Sequence, residues 1–165
     1  ILRCLVGSEM CIRDSNITEQ LKYQINQRKD GVNMIKMVLD IPPSVNHCYV
    51  NIAGQRKGRK LTEAAKNWKL LAGYEANQAK RKQGWIYPDK DEKIVLLLWA
   101  FWPDRRPRDM NNCHKLLPDA LENVLFENDK NVLVRDMDFS FDAKRPRLEI
   151  VVARKDEVDV NETQY

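Results

Sequence analysis

The sequence predicts one α/β (α+β) domain, a mixed β-sheet carrying two main helices. Three observations point there. The run IVLLLWAFW, Ile94 to Trp102, is apolar on both faces, as a central strand is, and far short of the ~20 residues a membrane span needs. Apolar residues between Thr62 and Gly84 recur at intervals of three and four, the helical period. Shorter strand-like runs lie on either side, so the order β-(β)-α-β-α-β-β mixes both kinds of element in one chain. A chain of 165 residues suits a single core, and no internal repeat is visible.

Taken in order, Ile35 to Ile41 reads as the first strand, stopped by Pro42-Pro43. Asn46 to Asn51 reads as a candidate strand, with GQRKGRK (Gly54 to Lys60) as the basic loop of a hairpin. Thr62 or a neighbour caps a helix whose inner face is Ala65, Trp68, Leu71, Ala72, Ala76 and Ala79. Lys80-Arg81-Lys82 suit the negative end of its dipole, and Gly84 ends it. Pro103 stops the central strand. A second helix is expected from Arg108 to Leu125, burying Met110, Cys113, Leu117, Ala120 or Leu121, and Val124. Pro118 removes one of its hydrogen bonds and predicts a kink. Strands at Val132 to Phe141 and Leu148 to Ala153 follow, joined by a turn at Lys144-Arg145-Pro146-Arg147.

The domain is placed at residues 34–155. The opening ILRCLVGSEMCIRDS has no periodicity and is similar to a translated sequencing-adapter read-through; residues 1–33 are expected to be non-native or disordered. Lys29-Asp30 fits a ribosome-binding sequence shortly before Met34, so a natural start at Met34 or Met37 is expected. The acidic tail, 156–165, is expected to be disordered.

The net charge of +4 permits nucleic acid as a partner without demanding it. No run is long enough to span a membrane. The four cysteines follow no disulfide spacing, which points to a reducing cytoplasm, bacterial or in a phage-infected host. His47-Cys48 and Cys113-His114 together match a zinc ligand set in type. Adjacent helical residues point about 100° apart, however, and buried thiols are the better reading.

The informative stretch is RPRDMNNCHKLLPDALE, Arg106 to Glu122. On a helix, Asn111, Lys115 and Asp119 fall four apart on one polar face, flanked by Asp109 and Asn112. Asp109 sits where a carboxylate caps a helix start, and capping with a solvated face is the plain reading. Glu127-Asn128-Asp129 follows the helix, and a chain reversal there would set Asp129 beside Asp109. Carboxylates meeting in a cleft ringed by Arg105, Arg106 and Arg108 repel one another unless a cation neutralises them, as Mg²⁺ facing a phosphate would.

These motifs, in this order, resemble the RusA family of phage and prophage Holliday-junction resolvases. The matching segments are PDRRPRDMNN, Lys115, Asp119-Ala120-Leu121 and Glu127-Asn128-Asp129, with PPSVN, LTEAAKNW and RPRLEI around them. The resemblance covers about Val38 to Ala153. It implies a RusA-like fold and a Mg²⁺-dependent homodimer that nicks opposing strands of four-way DNA junctions. By position, Asp109 and Asp129 match metal-binding aspartates, and Lys115 matches a functional lysine. Asn111 stands where the family has a second aspartate. Its amide oxygen can ligate Mg²⁺ but brings no charge, and Asn128 likewise replaces an acid. A junction-binding protein with weakened or lost cleavage is the alternative.

Arg105, Arg106 and Arg108 would orient the DNA backbone, and Lys115 would stabilise the phosphate under attack. Arg56, Lys57, Arg59 and Lys60 of the hairpin loop, with Tyr49, are further DNA candidates. Trp85, Trp99 and Trp102 could stack on bases, although Trp99 and Trp102 read as core.

Overall fold

The structure is a computed structural model that describes residues 33–52 and 58–158. Residues 1–32, residues 53–57 (Arg56 and Lys57 among them) and the tail from 159 lie outside the described residues. The order is β1 (Met34–Leu39), a helical turn α1 (Val45–Cys48), β2 (Tyr49–Ile52), β3 (Gly58–Leu61), α2 (Glu63–Gln83), β4 (Ile94–Trp102), α3 (Asn111–His114), α4 (Leu116–Leu121), β5 (Val132–Phe141) and β6 (Arg147–Arg154). Four strands form one sheet in the order β1-β6-β4-β5, and β2-β3 form a separate hairpin. β6 is antiparallel to both β1 and β4, whereas β5 runs parallel to β4. This is the mixed α+β domain the sequence predicts, with β4 central.

Local signals set the boundaries. Pro42 and Pro43 follow β1, where a strand would need N–H groups they lack. The Thr62 hydroxyl accepts the Ala65 N–H at 3.3 Å, and Gly84 closes α2 at φ 68°, a left-handed conformation glycine adopts without Cβ strain. The buried face of α2 is nearly all small: Ala65, Ala72, Ala76 and Ala79 around Trp68. It packs with Leu117 and Leu121 of α4 over Ile35, Leu96, Leu98, Ile150 and Val152 of the sheet. Each fully buried Leu or Ile there contributes roughly 1.5–3 kcal/mol by leaving water.

Two expectations change. Asn46 to Cys48 is not strand: His47 N–H donates to Ser44 O at 2.8 Å, making the turn α1, and the strand starts only at Tyr49. The single helix expected from Arg108 to Leu125 is two short ones. Pro118 has no N–H for the carbonyl of His114, four residues back, and the hydrogen-bonded run breaks there. Lys115 still keeps helical dihedrals (φ −87°, ψ −52°), so bonding is interrupted but direction is not. The helix then ends at Leu121, and Asn123 reverses the chain at φ 63°.

The connection from β5 to β6 is not a hairpin. It crosses the end of β4, where the Asp142 N–H donates to Trp102 O at 2.7 Å. Its return strand opens with a buried ion cluster: Arg147 reaches Asp142 at 3.0 Å and Glu149 at 2.5 Å, and lies over the Phe101 ring at 3.9 Å. On the sheet's outer edge, the Gln83 side chain treats β1 as a strand would. It accepts the Lys36 N–H at 2.9 Å and donates to Lys36 O at 2.7 Å.

β5 carries a bulge. Leu98 is level with Asp136, but Trp99 is level with Asp138, so Met137 is the extra residue. Plain alternation would set Asp136, Asp138 and Ser140 on one face. The bulge instead puts Asp136, Phe139 and Phe141 on the helix side, level with Leu98, Ala100 and Trp102.

Candidate nucleic-acid interface

The loop between β4 and α3 is built around Asp104. Its carboxylate accepts from Arg108 Nη1 at 2.6 Å, from Arg106 Nε and Nη2 at 3.0 and 2.7 Å, and from the Arg106 N–H at 3.0 Å. The Arg108 hydrogen bond, then those of Arg106, hold its carboxyl well below the usual carboxylate range, and the same contact raises Arg106. One acid therefore sets the directions of two arginines. Arg108 also lies over Trp102 at 5.6 Å, and Arg105 over Phe141 at 4.4 Å. The three predicted cations are thus gathered at the Trp102 end of β4. Asp104 was part of the matched PDRR segment but had no assigned role; the acid between strand end and arginines was its signal.

Asp109 does what capping predicts. Its carbonyl accepts the Asn112 N–H at 3.1 Å, and its Oδ1 accepts the Asn111 N–H at 2.9 Å. Asp109 and Asn111 are both exposed, and Asp109 lies one turn before Cys113. Burial, then the charges of Asp136 and Asp109, push the Cys113 thiol up to about 12. Cys48 and Cys113 are both buried free cysteines of the core.

Asp129 does not come back to Asp109 within one chain. Because β5 runs parallel to β4, the turn that opens with Asp129 lies at the Ile94 end of the sheet. There Asn131 of the same turn donates to Lys90 O at 2.8 Å. Val132 and Asp136 alone are separated by about 13 Å along the strand. The acid that faces the α3 segment is Asp136, whose Oδ1 is 2.7 Å from His114 Nε2. An acid on a core-facing position of β5 was the sequence signal for it. Among the described residues, no three His, Cys, Asp or Glu side chains form a metal-holding group. Mg²⁺ commonly keeps several waters and takes one or two carboxylates plus substrate phosphates. Asp109 and Asn111 are exposed oxygen donors of the type such an open site uses, joined through the Asn111 N–H and Asp109 Oδ1.

Lys115, exposed at the break between α3 and α4, brings the hairpin into the same region. Its Nζ is 5.8 Å from the centre of the Tyr49 ring, and Arg59 lies over that ring at 5.5 Å. Two cations flanking one aromatic repel each other, and an anion between them relieves this. Lys60 is exposed on the same strand as Arg59. Trp99 and Trp102 are core, as expected; Trp85 is core too, donating to Leu125 O at 2.9 Å, which removes it as a base-stacking candidate. Among the described residues the exposed aromatics are Tyr74, Tyr87, Phe139 and Phe141, and of these the two phenylalanines lie on β5, with Phe141 under Arg105.

Compared with known proteins, the sequence matches the model of the family Endodeoxyribonuclease RusA over residues 40–153. No curated protein matches it.

Proposed function

Because the chain belongs to the RusA endodeoxyribonuclease family, we propose that it resolves four-way DNA junctions by paired, Mg²⁺-dependent phosphodiester hydrolysis. The observation that carries this reading is the arginine loop fixed by Asp104 directly before Asp109. Arg105, Arg106 and Arg108 bind backbone phosphates there. Lys115, with Arg59 across Tyr49, neutralises the phosphate under attack. Asp109 and Asn111 would hold Mg²⁺, which supplies an activated water and charge neutralisation when bound. Asp129 sits at the far end of β5, so it reaches such a site only from a second copy of the chain. A two-fold homodimer provides that copy and mirrors the symmetry of a four-way junction.

The test is a cleavage assay on four-way and linear duplex DNA at matched salt, with and without Mg²⁺. Paired nicks in the junction alone are expected; equal cutting of both DNAs, or none of either, would overturn the reading. Mixing Asp109→Asn with Asp129→Asn protein checks the shared site. Each is expected to be inactive alone. Random mixing should restore one intact site in about half of the dimers, detectable as single nicks. No recovery in a mixture shown to exchange subunits places both residues' roles in one chain, or removes Asp129.

The replacement of an acid by Asn111 favours one further reading, a junction-binding protein with weak cleavage. Asn111→Asp decides it. The two side chains are nearly the same size, so the fold should tolerate the change. The added charge should lower the half-maximal Mg²⁺ and weaken junction binding in chelator. An unchanged or higher Mg²⁺ requirement means Asn111 does not face the metal.

A further inference from the structure

We infer that Phe139 and Phe141 form a stacking surface for exposed bases of the DNA held by the arginine loop. The inference rests on the junction reading above and adds a contact to the bases themselves. Phe139 is 67% and Phe141 45% exposed on β5, the outer strand of the sheet, among the largest exposed apolar side chains of the described residues. A flat aromatic left in water at that level has no role in the core. Both rings owe their direction to the bulge at Met137. Were the strand to alternate regularly through Met137, they would face the other side of the sheet, away from Asp109 and α3.

Their surroundings select the partner. Arg105 already covers one side of the Phe141 ring, and Arg108 covers Trp102, the residue level with Phe141. Cations beside exposed rings match a nucleic-acid strand, whose bases stack while its phosphates take the charge. The open arms at a branch point, unlike a linear duplex, present base faces without a neighbour on one side. A second copy of this chain is the competing occupant, since an outer strand can add another strand. That is disfavoured here: the Phe139 N–H is held by Asp138 Oδ1 at 2.8 Å, and Asp136 and Asp138 line the same strand.

The experiment measures binding of wild type, Phe139→Ala, Phe139→Trp and Phe139→Ala/Phe141→Ala by fluorescence anisotropy in chelator. The probes are a four-way junction, a linear duplex and single-stranded oligothymidine, each over a salt series. Phe139→Ala is expected to weaken junction and single-strand binding by roughly 5- to 100-fold, the range for one lost base–aromatic stack. Duplex binding and all three salt slopes should stay put, because no charge has changed. Phe139→Trp should restore binding, and the double variant should lose more than Phe139→Ala. An equal loss on all three DNAs, or no loss on single strands, overturns the inference. So does a smaller assembly for Phe139→Ala by light scattering, which assigns the patch to a second copy. If the wild type does not prefer the junction, the junction reading fails, while the single-strand series still decides on stacking.

Discussion

Asp109→Asn is expected to abolish cleavage while junction binding is kept or tightened. The substitution separates the cap that Asp109 makes from the metal-ligand role proposed for it. Asparagine caps a helix about as well as aspartate, so the hydrogen bond now made by Oδ1 to the Asn111 N–H can survive. The start of α3 and the melting temperature should then change little. What is lost is the negative charge. Losing even an outer partner of a metal ligand typically costs 10–100-fold, so removing a ligand charge should lower the rate by more than about 100-fold. Binding moves the other way, because one carboxylate fewer faces the phosphates. Gel-resolved cleavage with Mg²⁺, binding in chelator and thermal melting together check all three outcomes. Full cleavage by Asp109→Asn would remove the residue from the mechanism and leave it a cap.

The largest loss of stability is expected at a residue far from any phosphate, in Arg147→Leu. Arg147 is 5% exposed, and it holds Asp142 and the 8% exposed Glu149. The other oxygen of Glu149, Oε2, already has no hydrogen-bond partner. Taking away the cation leaves a buried carboxylate unpaired, which costs about 3–5 kcal/mol. For a domain of this size that lowers the melting temperature by roughly 10 °C or more. Glu149→Gln added to Arg147→Leu should recover part of the loss. A single variant that melts within a few degrees of wild type would show that the packing of Phe101, not the ion cluster, closes this end of the sheet.

The fold was largely legible because most of its elements announce themselves locally. β4 and β5 begin and end where composition says, and α2 runs from Thr62 to Gly84 between a hydroxyl cap and a glycine. Where composition misleads, either a local hydrogen bond or the topology decides. Nothing near Asn46 shows that Ser44 will close a turn on His47. Pro118 announces a disturbance, but composition alone does not distinguish a bend in one helix from a missing bond at His114. The arginine loop and the Asp109–Asn111 contact are local, between residues close in sequence. The position of Asp129 was not legible, since it depends on β5 lying parallel to β4, a fact of topology. Phe139 and Phe141 escaped for a similar reason: a single bulged residue reverses the face that alternation assigns. Asp136 carries a sequence signal, a charged residue where alternation gives the helix side, but its partner His114 is set by the fold.

Gln83 has a bearing on how this protein survives at high concentration. The free margin of a sheet is a template on which other chains can grow, and among the described residues Met34–Leu39 is such a margin, with Val38 45% exposed. By bonding both backbone groups of Lys36, the last residue of α2 occupies that margin as a strand of a single residue would. Protection against self-assembly therefore depends on the final turn of a helix staying wound. Helix ends fray at far less cost than a domain unfolds, and fraying here bares the template while the core is intact. Shelf life would then follow the opening of one helical turn, and an assay of global melting would miss it.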